Sequence, residues 1–176
     1  MASRIIEDKG VMEFLKAAKI LKNKNFQGKF YLVGDFDKHN PSAIDRTVLD
    51  YFRRKKIITY FEHQKKIFNF IKKSTLVVLP SYREGFPKVL MEASAVGRPI
   101  VTTNVPGCKD VVVKDKTGIL IPPKNSLRLA EEILILSKDR KKILKLGFNA
   151  RQYAFKNFNI KLIVSKHISV YKNMKI

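Results

Sequence analysis

The feature that most constrains this sequence is its change of period. Short unbroken apolar runs alternate with stretches in which apolar residues return every three or four positions. The first pattern marks buried parallel strands and the second marks helices, so the alternation specifies helices wrapped over a parallel sheet. Val11, Phe14, Leu15, Ala18 and Leu21 make one helical stripe, with Asp8 placed to cap it. Phe30–Val33 reads as a strand broken by Gly34, and Ser42–Arg54 as a helix leading to a strand at Ile57–Tyr60. Gln64–Lys73 is predicted helical with Ile67, Phe68 and Ile71 inward, and Thr75–Leu79, closed by Pro80, is the strongest strand.

The second half repeats the pattern. Phe86–Val96 reads as a helix stopped by Gly97 and Pro99. Ile100–Thr102 and Ile119–Ile121 read as strands, with a turn at Asn104–Gly107 between them. Helices are expected at Leu127–Ser137, Arg140–Phe155 and Lys161–Asn173. The fold class is therefore α/β, a doubly wound, Rossmann-like parallel sheet, and such sheets bind ligands beyond the carboxyl ends of their strands. With 176 residues, one domain spanning positions 1–176 is expected.

Composition narrows the function classes. Hydrophobic residues make up 45% of the chain, too many for a disordered protein. No apolar run approaches the ~18 residues that cross a bilayer, and the opening residues lack a secretory pattern. The single cysteine, Cys108, rules out an internal disulfide framework and suits a reducing compartment. The net charge of +21 invites a nucleic acid or an anionic membrane as partner. The cations are spread along the chain, however, and runs such as Arg53–Lys56 and Arg140–Lys142 fall where helices face water.

Chemistry concentrates in Pro80–Gly97, PSYREGFPKVLMEASAVG, at a strand–loop–helix junction. A helix beginning there offers free N–H groups and the positive end of its dipole to an anion. Gly85 allows close backbone approach, and Pro87 suits a first helical turn. Glu84 and Glu92 could grip hydroxyls at two ends of one extended ligand, with Lys88 beside Glu92 on the helix face. By spacing alone, the same residues fit better an ordinary amphipathic helix carrying a surface Lys–Glu pair worth about 0.3 kcal/mol.

The stretch resembles the E-x7-E signature of glycosyltransferase family 4, retaining enzymes of GT-B architecture that use nucleotide-sugars, here running from Glu84 to Glu92. SRIIEDKGVMEFLKAA, YLVGDFDKHNPSAI, ITYFEHQKKIFNFIKKSTLVVLPSYREGFPKVLMEASAVGRPIVTTNVPGCKDVV and TGILIPP follow in that family's order, so the likeness covers essentially the whole chain. It is nearest to members that build capsule, O-antigen and lipid-linked oligosaccharides. The resemblance implies the C-terminal, donor-binding half of a GT-B fold, with a UDP-sugar as donor and no metal or other cofactor. It implies that Arg4 and Lys9 clamp the diphosphate, that Glu84 contacts the sugar, and that Gly85, Phe86 and Pro87 lie beside it. Lys88 and Val89 would present N–H groups, Glu92 would hold the ribose, Gly34 would leave room for the donor, and Phe61–His63 would border the base. A glycan or lipid-linked acceptor would bind through an N-terminal domain that this sequence does not contain, making transfer by this chain alone negligible. A cytoplasmic location follows, with peripheral attachment to the inner membrane face and no nucleic acid partner.

Two positions depart from the family pattern: Glu62 and Asp115 stand where glycine is common. Asp35-Phe36-Asp37 is a D-x-D, yet acidic loops after strands are commonplace, and metal binding is not expected. His39, His63 and His167 lack paired ligand spacing, so zinc is not expected either. Cys108 reads as an ordinary free thiol. Most phenylalanines are expected inward. The final helix alternates lysines with Leu162, Ile163, Ile168, Val170 and Met174, which suits either a membrane surface or support of another domain. The rival function is a basic α/β module for nucleic acid or anionic lipid, and a third reading is a non-catalytic remnant.

Overall fold

The computed structural model describes residues 1–174. Strands β1 (Tyr31–Val33) and β2 (Thr59–Phe61) pair in parallel, and β3 (Val77–Leu79), β4 (Ile100–Thr103) and β5 (Gly118–Ile121) form a second parallel ladder. The N-terminal segment lies along β1 through bridges Ala2–Val33 and Ile5–Phe36. It takes the edge opposite β2, because the Val33 N–H and C=O bond to Met1 and Ser3 while the Gly34 N–H donates to Phe61. The helices are α1 (Val11–Asn23), α2 (Arg46–Arg54), α3 (Ile67–Lys73), α4 (Lys88–Val96), α5 (Cys108–Val111), α6 (Ser126–Lys138), α7 (Arg140–Asn157) and α8 (Ile160–Asn173).

Two apolar layers flank the sheet, as expected of a doubly wound fold. Successive residues of a strand face opposite ways, so Val78 joins Leu15, Leu49 and Leu129 from α1, α2 and α6, while Val77 and Leu79 join Ile71, Leu90 and Val111 from α3, α4 and α5. Each fully buried leucine or isoleucine contributes about 2 kcal/mol relative to an exposed one. All three residues of β3 are buried, as the sequence predicts for its most apolar strand.

Several boundaries move for identifiable reasons. Asp8 does not cap α1; the N-cap is Gly10 at φ 70°, where a Cβ would lie 2.0 Å from the Pro80 carbonyl oxygen. Asp8 instead belongs to a short 3-10 turn, Glu7–Lys9. The helix expected from Ser42 begins at Arg46, because the Asp45 carboxylate accepts the Thr47 N–H and hydroxyl; these bonds hold its carboxyl below the usual range. The helix expected from Gln64 begins at Ile67, and Phe68 is 52% exposed, leaving Ile71 as its buried anchor. Pro87 is the N-cap of α4 instead of a residue in its first turn. The turn near Gly107 runs into α5, four residues that periodicity could not detect. Asp115 sits at φ 58°, a left-handed position where glycine is natural and aspartate is tolerated.

The phenylalanines divide. Phe14 and Phe52 are buried, whereas Phe68, Phe86, Phe148 and Phe155 are exposed. No residue of α8 is buried. Among the described residues, no helix is long and apolar enough to cross a membrane.

Candidate functional site

The site forms where loops leave the carboxyl ends of the strands. The 3-10 turn after the N-terminal segment carries Lys9, and the loop after β3 carries Glu84. Their side chains meet at 2.7 Å, Nζ to Oε1, although 75 positions separate them in sequence. Both are largely enclosed, with side chains 18% and 11% exposed. They form one wall of an open hollow of about 400 Å³, also lined by Arg4, Asp8, Asn40, Arg83 and Gly85.

Arg4 lines the same hollow but takes a different partner. Its guanidinium holds Asp37 at 2.7 Å, with side chains 57% and 30% exposed. The D-x-D is thus divided between two tasks: Asp37 pairs with Arg4, and Asp35 accepts the His63 N–H at 2.8 Å.

A buried scaffold supports the Lys9–Glu84 wall. The Asp8 carbonyl accepts the Tyr82 N–H at 2.8 Å and lies 2.9 Å from the Ser81 hydroxyl. Ser81 is fully buried, and its carbonyl accepts the Thr103 hydroxyl. Gly107 lies beneath the loop at φ 80°, where a Cβ would come within 2.4 Å of the Glu84 carbonyl oxygen. The Tyr82 phenol is pushed up, first by burial and then by its hydrogen bond to Glu13 and the charges of Glu13, Glu7 and Asp8. Neither Ser81 nor Gly107 was marked by local sequence signals as a site residue, because both act through contacts distant in sequence. The Pro106-Gly107 pair announces a turn but not its neighbour.

The hollow brings together only some of the expected residues. Arg4, Lys9, Glu84 and Gly85 line it; Gly85 has nothing within 4 Å of where a Cβ would stand. Lys88 and Glu92 pair along α4 at 3.6 Å, outside that lining. The Lys88 and Val89 N–H groups belong to the first turn of α4, where helical geometry supplies no acceptor and Pro87 adds no side-chain cap. The Phe86 ring turns away to meet Phe158 edge-on, centroids 5.5 Å apart. Phe61 and His63 stand at the carboxyl end of β2, with Phe61 packed on Phe70 at 4.9 Å. Gly34 has φ 147° and its missing Cβ would fall 1.8 Å from the Ser3 carbonyl oxygen, so the chain's own N-terminal segment already requires glycine there, and Gly34 is not among the residues lining the hollow.

Cys108 is fully buried beneath this loop. Burial pushes its thiol up, the nearby hydroxyls of Thr102 and Thr103 oppose this, Glu84 adds to it and the charge of Lys9 opposes it. Burial and the raised pKa both disfavour the nucleophilic thiolate.

The hollow sets cations beside a carboxylate, a charge pattern suited to an anion that also carries hydroxyl donors. Comparison with known proteins identifies the family. Residues 1–153 match the model of the family described as glycosyl transferases group 1. The chain is 33% identical over 171 residues to an N,N'-diacetylbacillosaminyl-diphospho-undecaprenol alpha-1,3-N-acetylgalactosaminyltransferase of Campylobacter jejuni, covering 97% of this chain and 43% of that protein. It is 29% identical over 168 residues to the capsular polysaccharide biosynthesis glycosyltransferase CapM of Staphylococcus aureus, covering 96% and 44%. The fold is similar to Anabaena Alr3699/HepE in complex with UDP, with a TM-score of 0.87, 22% identity and coverage of 98% and 47%. The chain thus spans less than half the length of these proteins. With the family model matched over most of its length and a relative above 30% identity aligned almost end to end, the chain belongs to the glycosyl transferases group 1 family.

Proposed function

We propose that this chain is the donor-binding domain of a retaining glycosyltransferase, taking a UDP-sugar and serving transfer to a polysaccharide or lipid-linked acceptor. The observation that carries the reading is the enclosed Lys9–Glu84 pair on the wall of the hollow, a cation and a carboxylate held side by side beyond the sheet. Support for the donor comes from the UDP in the Anabaena structure, and for the acceptor from the capsule and diphospho-undecaprenol relatives.

In this reading the sugar–phosphate bond breaks through an oxocarbenium-like state, and its electron pair passes to the diphosphate. Lys9 and Arg4 meet the charge that grows there, with the α4 amides at Lys88 and Val89 assisting. That countercharge makes a metal unnecessary. Glu84 accepts hydroxyls of the sugar while Gly85, Phe86 and Pro87 shape its surroundings. Glu92 holds the ribose, and Phe61 and His63 border the base. The acceptor is supplied by a further domain, so this chain alone transfers little. The enzyme works in the cytoplasm at the membrane face, where its positive charge favours anionic lipid.

The test is calorimetry of the 176-residue chain with UDP-, GDP- and ADP-sugars across a salt series. UDP-sugars should bind best, with a shallow salt dependence. Absence of nucleotide binding, or a steep fall in polyanion binding with log[salt] in its place, would overturn the reading in favour of a basic binding module.

A further inference from the structure

We infer that Ser81 is a positioning residue, whose hydroxyl locks the turn carrying Lys9 to the loop carrying Glu84 and so fixes the cation that receives the diphosphate; this rests on the donor-site reading above. The two halves of the ion pair come from separate connections, Glu7–Lys9 before α1 and the loop after β3, and nothing in chain connectivity holds them together. Ser81 is fully buried between them. Its single hydroxyl proton lies within reach of the Asp8 carbonyl at 2.9 Å and the Arg83 carbonyl at 3.1 Å. Asp8 immediately precedes Lys9 and Arg83 immediately precedes Glu84, so one hydroxyl sits against the backbone that launches each charged side chain.

Ser81 is itself held from behind by Thr103, whose hydroxyl donates to the Ser81 carbonyl. Losing the Ser81 hydroxyl orphans no carbonyl at the turn, because the Asp8 oxygen still accepts the Tyr82 N–H at 2.8 Å. The fold therefore keeps its ladder and its core, and the loss falls on how firmly Lys9 and Glu84 are placed. An ångström of slack in a charged group costs far more in ligand affinity than in folding.

The experiment is a double-mutant cycle on UDP affinity with Ser81→Ala and Lys9→Ala, read by calorimetry. Ser81→Ala should weaken UDP about fivefold in the native background, and less than about twofold where Lys9 is already alanine, because its effect passes through that side chain. Equal losses in both backgrounds, or no loss in the first, would overturn the inference. Amide hydrogen exchange of the Tyr82 N–H, which donates to Asp8, supplies a readout independent of nucleotide. It should quicken about fivefold in Ser81→Ala while the Val78 amide in β3 is unchanged, and an unaltered Tyr82 rate would sink the brace whatever the ligand. If the native chain binds no UDP but the exchange result holds, the donor reading fails and the brace stands.

Discussion

Lys9 and Arg4 lie on one short stretch and were expected to share one task, yet the structure gives them opposite settings. Lys9 is enclosed against Glu84 with 18% of its side chain exposed, whereas Arg4 reaches over open surface to Asp37 with 57% exposed. The enclosed cation is held in place before any ligand arrives and has little solvent to exchange for. The open one can leave its partner at small cost, since exposed pairs are worth about 0.5 kcal/mol. Burial thus divides a single predicted clamp into a fixed member and a movable one.

That contrast can be broken most severely at its foundation. Gly34→Ala should destabilise the chain by about 3 kcal/mol in thermal or urea unfolding, because the new Cβ collides with the Ser3 backbone that carries Arg4 into position. Lys9→Ala should cost about 2 kcal/mol of stability, leaving the Glu84 carboxylate enclosed without its partner, and weaken UDP about 30-fold. Arg4→Ala should change stability by less than about 0.5 kcal/mol yet weaken UDP about tenfold, with uridine binding nearly untouched. Equal losses for UDP and uridine would remove Arg4 from the diphosphate. Glu84→Gln sharpens the comparison from the other side. With Lys9 released from its carboxylate, bare UDP should bind about threefold tighter while a UDP-sugar binds more weakly, as calorimetry would read.

The smallest effect concerns pH. Because the Tyr82 phenol is pushed up in the folded chain, folding favours its protonated form. That contribution is complete below the unfolded value near 10 and is lost as pH rises towards the folded value. Tyr82→Phe should therefore show a flatter decline in stability above about pH 10 than the native chain.

The alternation of strands and helices was legible because period and burial are local signals, and β3, α4 and β4 stand where their apolar patterns place them. Boundaries failed where a contact from elsewhere overruled local preference. Asp8 is a good cap by type, but the close approach of Pro80 demands glycine at position 10. Phe68 fits the apolar stripe of α3, but the sheet is met by Ile71. The site was legible in a different way. Spacing alone left the Glu84–Glu92 segment ambiguous, and family likeness supplied Lys9, a partner 75 positions away that no periodicity could reach. Gly34 carries a demand that no local pattern announces, since its conformation makes room for the backbone of Ser3. Ser81 and Gly107 went unnoticed because their work is done by an oxygen and by a missing carbon, and neither leaves a pattern.

The all-parallel pairing has a consequence for how the molecule is made. Every neighbouring strand arrives only after a crossover, and the hollow draws on the turn near Lys9, the loop near Glu84 and the support at Gly107. A nascent chain emerging from the ribosome therefore has no finished hollow until Gly107 is outside the tunnel. The outer edge of β4 waits longer still, until β5 at Gly118–Ile121 follows, and that exposed apolar edge is where a chaperone has most to offer.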